Sequence, residues 1–502
     1  MRTMMISPWA ILFLLLLVAD ALSLQPSIFS AYRAKLSSSS VALLVQQGST
    51  NNRIQSNLRQ ISPTHPWRTS ALSSAANNEE QTIELSYESL QEEIRRRESL
   101  QEEALLDDGS SSSSSKTEQQ FWKWRNHDIF CEVRTPADTS SSDSKRKPKI
   151  ILLHGFGAST TYWRETMKTL QSGGFEVHAL DLLGQGRSSK PYCYARDGDG
   201  RLTKFPYKLY SKAPSITSIA EETSPISMGK NTNTNVHYSI NLWANMIDDY
   251  ARHCNMDEVI LMGNSLGSLV ALSAATGDFI QTPNNVDREN MFGYLAGNHL
   301  GERSRVKGVC LFNCAVGLNS MNVLKNPNFS AVQRNVLQWI FGILNNLIFD
   351  NELLLKFALN DVVTKDLLRD ALKSLYTYNS EQVDEELVDS FYYPAKFGGD
   401  GAVEAIRQIY TNDAGLSPME LTAKYPEILD KKLPLHLIWG DSDVVTPING
   451  DVGQFYCDRV ANNRGGKGMT TIDVVSAGHL LFDDNPSDTN SALLRWINKR
   501  VL

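Results

Sequence analysis

The sequence is 502 residues long, 41% of its residues are hydrophobic, and its net charge is −7 with acidic and basic residues interspersed. It lacks the basic stripe by which proteins bind nucleic acid, so the charge pattern excludes that class of partner. The six cysteines are scattered without a Cys-x-x-Cys pair, which argues against a zinc site and against a disulfide framework. The length is sufficient for one large α/β domain with additional segments.

The N-terminal 78 residues have the composition of targeting sequence. Residues 1–23 combine a basic start at Arg2, an apolar run from Ile11 to Val18 and small residues at the end, which is typical of a signal peptide. Residues 24–78 contain no Asp or Glu but several basic residues among many serines, as in a transit peptide. Together they resemble the two-part leaders of algae whose plastids lie inside additional membranes. A secreted protein with a serine-rich pro-segment is the alternative.

Residues 79–117 are predicted to be an acidic helix followed by a linker. The pentapeptide Ser-Leu-Gln-Glu-Glu occurs at 89–93 and again at 99–103, and its leucines lie at helical spacing among charges. A solvated helix is favoured over a partner-binding segment. The serine run Ser110 to Ser115 follows as a flexible linker. The globular domain is predicted to span 118–502, and its first stretch, Phe121 to Arg134, alternates as in a hairpin.

The next two predicted strands are each followed by a glycine-containing loop. Ile150 to Leu153 runs into His154-Gly155-Phe156-Gly157, where we expect the histidine to fix the loop by hydrogen bonding rather than to transfer protons. Phe175 to Leu180 runs into Asp181-Leu-Leu-Gly-Gln-Gly-Arg-Ser188, which lacks the lysine of a phosphate loop and is therefore predicted to be a structural turn. The polar stretches Tyr192 to Tyr238 and Gly277 to Ser304 are predicted to be irregular insertions, the first a surface loop.

The centre of the chain carries the pattern Gly-x-Ser-x-Gly. The apolar run Val259 to Met262 enters the pentapeptide and the small, apolar run Leu266 to Ala275 leaves it, so Ser265 lies where a buried strand turns sharply into a helix. Gly263 and Gly267 leave room for that tight turn. The pattern predicts a nucleophile elbow with Ser265 as the nucleophile.

From Leu318 to Lys424 strand patterns disappear and helical ones dominate. The strand Val306 to Phe312 precedes this stretch. Within it, Val336 to Phe349 is apolar nearly all round, and Leu353 to Phe357 continues the apolar character. Such a helix is buried or lies against apolar surroundings. A lid over an apolar substrate pocket is favoured, with packing of a helical core as the alternative.

Candidates for an acid and a base follow the last two predicted strands. Leu435 to Trp439 is followed by Asp441 and Asp443, either of which would orient a catalytic histidine; the pattern Trp-Gly-x-x-Asp favours Asp443. Met469 to Val475 is followed by His479, which has the position expected of the base. A helix from 487 to 501 closes the chain.

These residues form the parts of an acyl-transfer site in the order Ser, Asp, His. His479 would take the proton of Ser265 and return it to the leaving group, while Asp443 holds the tautomer of the histidine. The elbow geometry places the oxyanion donors at the backbone N–H groups of Phe156 and Leu266. Losing one such donor costs about 2.7 to 4 kcal/mol of transition-state stabilisation.

The motifs HGFG, DLLGQGRSSKP and GNSLGS, in this order, resemble the α/β-hydrolase family. The resemblance implies an α/β fold with a mostly parallel central sheet flanked by helices and a helical cap over residues 318–424. The stretches GNSLGSLVAL, VKGVCLFNCAVGLNS, WGDSDVVTPINGDVGQFY and SAGHLLFDDNP more specifically resemble the plastid chlorophyll dephytylase, pheophytinase and chlorophyllase-type pigment esterases. The insertions at 192–238 and 277–304 depart from that group.

The resemblance implies a serine carboxylic ester hydrolase that cleaves the phytyl ester of chlorophyll or pheophytin, giving chlorophyllide or pheophorbide and phytol. It implies a chloroplast location with contact to the thylakoid surface, and no metal or organic cofactor. A serine nucleophile argues against dehalogenases and epoxide hydrolases, which need a carboxylate. A lipase or esterase acting on plastid acyl lipids and a non-catalytic binding protein of the same fold are the alternatives. The oligomeric state is not predicted.

Overall fold

The computed structural model describes residues 115–137, 147–191, 194–196, 202–204, 237–277, 305–325, 330–462 and 469–502. The predicted leader at 1–23 and 24–78, the acidic segment up to residue 114 and most of both insertions lie outside the described residues. Their assignments therefore stay predictions.

The described residues form ten strands, most of them short runs of apolar and β-branched residues. They are β1 (Lys116–Trp124), β2 (His127–Thr135), β3 (Lys149–Leu153), β4 (Val177–Leu180), β5 (Tyr194–Arg196), β6 (Leu202–Lys204), β7 (Val259–Asn264), β8 (Val306–Phe312), β9 (Leu435–Gly440) and β10 (Thr470–Val475). Eight of them form one sheet in the order β1-β2-β4-β3-β7-β8-β9-β10, while β5 and β6 form a separate hairpin.

The sheet is parallel from β4 to β10 and antiparallel at β1 and β2. Arg125 and Asn126 join β1 to β2 with positive φ angles of 48° and 66°, as the right-handed twist of a two-residue hairpin requires. The hairpin predicted for 121–134 is therefore confirmed. Parallel strands place their carboxyl ends on one edge, so the loops after β3, β7, β9 and β10 meet there.

Thirteen α-helices pack around the sheet or form the cap within the described residues. They are α1 (Arg164–Ser172), α2 (Ile240–His253), α3 (Leu266–Thr276), α4 (Ala331–Leu344), α5 (Glu352–Phe357), α6 (Lys365–Ser374), α7 (Glu385–Phe397), α8 (Gly399–Thr411), α9 (Pro418–Lys424), α10 (Pro426–Leu429), α11 (Asp451–Asn462), α12 (Leu481–Asp484) and α13 (Pro486–Trp496). None of the described helices is long and apolar enough to cross a membrane.

The core lies on both faces of the sheet, with β3, β4, β7 and β9 buried at nearly every position. Strands covered on both faces are mostly apolar, here with one histidine each in β4 (His178) and β9 (His436), which is why these runs are recognisable in the sequence. A separate apolar cluster, here called the cap cluster, consists of Leu337, Phe341, Phe349, Leu355 and Val403. The described residues between β8 and β9 contain helices and loops but no strand, and the predicted fold class is confirmed.

The first insertion differs from its prediction as an irregular surface loop in two places, since β5 and β6 pair near its start and its last residue is buried. Tyr238 is fully buried: its N–H donates to Gln408 Oε1 at 3.0 Å and its hydroxyl to Pro191 O at 2.9 Å. Helix α2 begins directly after it and was not predicted. Ser239, which accepts a hydrogen bond from Leu242 N, is the N-cap that marks this start in the sequence.

Candidate active site

Ser265 occupies a strained turn between β7 and α3. Its backbone has φ 51° and ψ −117°, a conformation that residues other than glycine rarely adopt. A Cβ on Gly263 would lie 2.1 Å from Gly267 O, and a Cβ on Gly267 would lie 2.3 Å from Leu153 O. Both glycines are therefore required by close backbone approach. The structure has the predicted strand, turn and helix around Ser265.

Replacing Gly267 by alanine is expected to lower the free energy of unfolding by about 1–3 kcal/mol, because the new methyl group overlaps a backbone carbonyl of β3. Urea unfolding measures this effect. Gly342 is the matched control, since a Cβ there meets nothing within 4 Å and the residue lies inside α4. Gly342→Ala is expected to be neutral or stabilising by up to about 1 kcal/mol. Equal destabilisation by both substitutions would contradict the close-approach argument.

The loop after β3 presents the N–H of Phe156. The N–H groups on either side are occupied, since Gly155 N donates to Tyr162 Oη at 2.6 Å and Gly157 N donates to Gln185 Oε1 at 2.7 Å. Within the described part of the chain, Phe156 N donates to no protein acceptor. The loop thus holds one N–H available for a substrate oxygen.

Two contacts place this loop against the elbow. A Cβ on Gly155 would lie 3.2 Å from Ser265 Cβ, so the loop and the serine are in direct contact. His154 fixes the loop, because its Nδ1 lies 2.7 Å from Gly155 O and its Nε2 accepts from Leu182 N at 2.8 Å. Burial lowers the pKa of this histidine, which keeps the ring neutral. The predicted structural role of His154 is confirmed.

The second oxyanion donor predicted was the N–H of Leu266. This residue is the first of α3, and the first N–H groups of a helix have no partner within the helix. The positive end of the helix dipole lies at the same place and favours an anionic oxygen. Both predicted donors therefore lie near Ser265: Leu266 follows it in the chain, and Phe156 belongs to the loop that contacts it.

His479 and Asp443 form a buried pair beyond β10 and β9. His479 Nδ1 lies 2.9 Å from Asp443 Oδ2 and 3.0 Å from Oδ1. Burial alone would raise the pKa of Asp443, but the charge of His479 and hydrogen bonds from His479 and Thr446 outweigh it and hold the pKa below 3.8. Asp441 instead accepts from the hydroxyl of Ser476 at 3.0 Å. Of the two candidate acids, Asp443 contacts the histidine.

Asn264 connects this pair to the elbow. Its side-chain Nδ2 donates to Phe312 O at 3.1 Å and to His479 O at 3.4 Å. Its Oδ1 lies 3.4 Å from Tyr162 Oη, the atom that also holds the Phe156 loop. Because Asn264 directly precedes Ser265, the structure brings the serine, the histidine and the N–H loop together at one edge of the sheet.

Asn313 was given no role in the sequence interpretation, yet it joins the loops after β8, β9 and β10. Its Nδ2 donates to Gly478 O at 3.0 Å and to His479 O at 2.8 Å, and its Oδ1 accepts from Gly440 N at 2.9 Å. Its φ of 44° directs the side chain into this junction. Asn313 therefore positions His479 and the loop that carries Asp443. Its signal in the sequence was a polar residue directly after an apolar strand.

Asp484 is a second positioning residue that sequence analysis missed. This fully buried carboxylate accepts from Gly478 N at 2.7 Å and from three successive cap N–H groups, those of Thr377, Tyr378 and Asn379, at 2.6–3.2 Å. His479 N also donates to Leu375 O at 2.9 Å. The loop of the histidine is thus bound to the segment 375–379 of the cap.

Replacing Asp484 by asparagine is expected to lower the free energy of unfolding by about 3 kcal/mol, because the amide offers one acceptor and a competing donor, at a fully buried position, to the four N–H groups that the carboxylate accepts from. We also expect kcat to fall while KM changes little, since the histidine loop moves. Chemical unfolding and steady-state kinetics measure these effects. Asp488→Asn, at an exposed position, should change stability by less than about 0.5 kcal/mol. Matching kinetics for wild type and Asp484→Asn would contradict the positioning role.

The cap contacts the N–H loop through aromatic rings. The ring of Phe156 meets Tyr410 of α8 edge to face at 5.2 Å, and Tyr410 stacks on Phe349 at 3.9 Å with an angle of 7° between the planes. Burial raises the pKa of Tyr410 to about 12, so its hydroxyl stays protonated. An apolar and aromatic cap surface therefore begins at the candidate oxyanion site.

Among the described residues, no group of three or more His, Cys, Asp or Glu side chains is arranged to hold a metal ion. The five cysteines that are described are free thiols, and burial raises the pKa of Cys131, Cys310 and Cys314. These thiols are therefore protonated and do not act as nucleophiles.

Comparison with known proteins gives one family match. The model of the alpha/beta hydrolase family matches residues 150–492. The chain is 37% identical over 67 residues to the (lyso)-N-acylphosphatidylethanolamine lipase of Mus musculus. These residues make up 13% of this chain and 19% of that lipase. It is 34% identical over 71 residues to the pimeloyl-acyl-carrier protein methyl ester esterase of Vibrio atlanticus, covering 14% of this chain and 25% of that enzyme.

Among solved structures, epoxide hydrolase I of potato (Solanum tuberosum) superposes with a TM-score of 0.45 at 16% sequence identity, over 76% of this chain and 100% of that one. The curated relatives are matched over stretches that span 13% to 28% of their own lengths.

Proposed function

This chain belongs to the alpha/beta hydrolase family, and from that premise we propose that Ser265, His479 and Asp443 form the catalytic triad of a carboxylic ester hydrolase. The proposal depends above all on the buried His479–Asp443 hydrogen bond, whose histidine carbonyl is held by the residue next to Ser265. With Nδ1–H donating to the carboxylate, Nε2 is the ring nitrogen left to accept a proton.

In the first half of the reaction, the Ser265 hydroxyl oxygen attacks the ester carbonyl while His479 takes the hydroxyl proton. The carbonyl oxygen becomes an oxyanion and receives hydrogen bonds from the N–H groups of Phe156 and Leu266. The bond to the alcohol then breaks, and His479 gives its proton to the leaving alkoxide. The products of this half are a free alcohol and an acyl group on Ser265.

In the second half, His479 removes a proton from a water molecule as that water attacks the acyl carbonyl. A second oxyanion forms at the same two N–H groups. Its collapse breaks the bond to Ser265, whose oxygen regains the proton from His479. A carboxylic acid leaves and the triad is restored. Throughout both halves the Asp443 carboxylate stabilises the imidazolium form of His479.

We propose that the substrate is the phytyl ester of chlorophyll or pheophytin. The sequence resemblance to the plastid pigment esterases supports this, as does the plastid-type leader. The apolar cap cluster and the aromatic rings beside Phe156 suit a long branched hydrocarbon, since each methylene removed from water contributes about 0.8 kcal/mol. On this proposal the protein acts in the chloroplast at the thylakoid surface.

A lipase or esterase acting on acyl lipids is the second candidate. It is favoured by the similarity to the mouse (lyso)-N-acylphosphatidylethanolamine lipase and by the same apolar cap, which suits acyl chains as well as phytol. A non-catalytic binding protein is disfavoured, because binding alone requires neither a strained serine nor a buried histidine–carboxylate pair.

The test incubates the full chain, beside Ser265→Ala, with chlorophyll a, pheophytin a and a long-chain monoacylglycerol, and follows free phytol and fatty acid by chromatography. We expect phytol from the pigments with the wild type and none with the variant. Release of fatty acid without release of phytol would assign an acyl lipid, and not the pigment, as the substrate. Equal product from both proteins would overturn the assigned nucleophile.

A further inference from the structure

Helix α4 has two apolar faces, and protein covers one of them. Leu337 and Phe341 are buried in the cap cluster. On the other side Val332, Val336 and Trp339, spaced four and three residues apart, are 72%, 51% and 68% exposed. Residues at this spacing share one face of a helix. A tryptophan and two valines on one exposed face cost free energy in water unless something apolar covers them.

The next helix along the chain repeats this arrangement. In α5, Leu355 is buried in the cap cluster, whereas Leu353 and Phe357, one turn apart, are 79% and 46% exposed. We call Val332, Val336, Trp339, Leu353 and Phe357 the outer cap face. Because both helices bury their inner residues in one cluster, the exposed side chains belong to the outer side of the same layer.

Charge distinguishes the segment that contains α4 from the rest of the chain, including α5 with its Glu352 and Lys356. Residues 326–349 contain no Asp or Glu, and Arg334 is their one charged residue, although the whole chain carries a net charge of −7. A segment with one basic residue, no acidic residue, a tryptophan and several aliphatic side chains suits the interfacial zone of a bilayer. Tryptophan is enriched in that zone, and anionic lipids repel acidic groups.

We propose that the outer cap face docks this protein on a lipid bilayer. Its purpose rests on the proposed function, because phytyl pigments and acyl lipids reside in membranes and must leave them to reach Ser265. The route is short: the inner side of the same helices forms the cap cluster, and Phe349 of that cluster stacks on Tyr410, which contacts Phe156. One helix layer, about 10 Å thick, separates the bilayer contact from the aromatic lining of the site.

The test measures binding of the full chain to vesicles of phosphatidylcholine, with and without an equal share of phosphatidylglycerol. In vesicles made from brominated phosphatidylcholine, bromine quenches the fluorescence of inserted tryptophans. The sequence contains nine tryptophans, so the difference in quenching between wild type and Trp339→Phe isolates Trp339. We expect that difference to be large, and we expect both lipid mixtures to bind.

A Val332→Gln, Val336→Gln double variant is expected to bind vesicles at least about 10-fold more weakly. Both valines would be buried in the bilayer on docking, and losing even part of that apolar contact costs a factor of this size. Val474→Gln, at a position 52% exposed outside the cap, is the matched control and should bind as the wild type does. All variants should hydrolyse a water-soluble short-chain ester at the wild-type rate and keep the wild-type Tm.

Several results would overturn the proposal. If the chain bound vesicles through its leader alone, Trp339 would not be quenched. If a second copy covered the face, the double variant would change the oligomeric state in size-exclusion chromatography and leave vesicle binding unaltered. Vesicle binding does not depend on turnover, so Ser265→Ala should bind like the wild type. Bound protein that releases no product would therefore contradict the proposed function while leaving the docking surface supported.

Discussion

Replacing Ser265 by alanine is expected to lower kcat for ester hydrolysis by at least about 10⁴-fold, because the covalent route is lost and the two N–H donors and substrate binding alone remain. Substrate binding should change little, since the cap and the N–H loop are untouched. A short-chain chromogenic ester measures kcat, and a non-hydrolysable ether analogue measures binding. Activity within 10-fold of the wild type would place the nucleophile elsewhere.

Ser265→Gly separates the catalytic loss from backbone strain. At φ 51° alanine keeps the strain of the wild type, whereas glycine relieves it, so we expect Ser265→Gly to raise the free energy of unfolding by about 1 kcal/mol. Both variants should be equally inactive. An inactive protein that is more stable than the wild type would show that the elbow holds its serine at a cost in stability.

Replacing Asp443 by asparagine is expected to lower kcat by about 10⁴-fold, because the amide lets His479 adopt the tautomer in which Nε2 carries the proton. The protein should remain folded, since asparagine has nearly the same size. Asp441→Asn is the matched control: the two carboxylates lie two residues apart, but Asp441 is exposed and contacts Ser476 rather than the histidine. A larger loss in Asp441→Asn than in Asp443→Asn would reverse the assignment.

The same pair predicts how stability depends on pH. The folded state holds the pKa of Asp443 below 3.8, its value in the unfolded chain, so the ionised carboxylate stabilises the fold at pH values above 3.8. That contribution is lost as pH falls below 3.8 and through the folded pKa. We therefore expect the stability gap between wild type and Asp443→Asn to be full at neutral pH and to narrow in acid. Urea unfolding at a series of pH values measures the gap.

The elbow and the sheet could be predicted because their signals are local. Buried parallel strands such as Val259–Asn264 and Leu435–Gly440 are mostly apolar, and the Gly-x-Ser-x-Gly pattern lies within five consecutive residues. Helix α2 was missed for a local reason as well. Its N-cap Ser239 directly follows the polar insertion 192–238, so the capping serine does not stand out from the polar residues before it.

The residues that hold the site together could not be predicted in the same way. Asn313 bonds to His479 across 166 residues, and Asp484 bonds to Thr377 across 107. Nothing adjacent to Asn313 or Asp484 in the chain indicates which loop each will meet. The choice between Asp441 and Asp443 had the same difficulty, because it depends on the direction in which the loop leaves β9.

The apolar helix of the cap shows a further limit of local pattern. A segment that is apolar all round predicts apolar surroundings on every side, but it does not say whether those surroundings are protein or lipid. In the structure, protein surrounds Leu337 and Phe341 while Val332 and Trp339 are exposed.

Two parts of the cap meet the site differently and are therefore free to change to different degrees. One is the segment 377–379, which Asp484 binds, and the other is the set of helices that carries the cap cluster. The segment 377–379 is tied to the loop of His479, so on the proposed function a substitution there would change the hydrolysis rate for every substrate alike. The helices that carry the cap cluster meet the N–H loop through aromatic rings: Phe349 stacks on Tyr410, and Tyr410 meets Phe156 edge to face. On the proposed function, substitutions at cap-cluster residues such as Leu337 and Leu355 would change the preference for chain length or branching and leave the rate constant of the reaction unchanged.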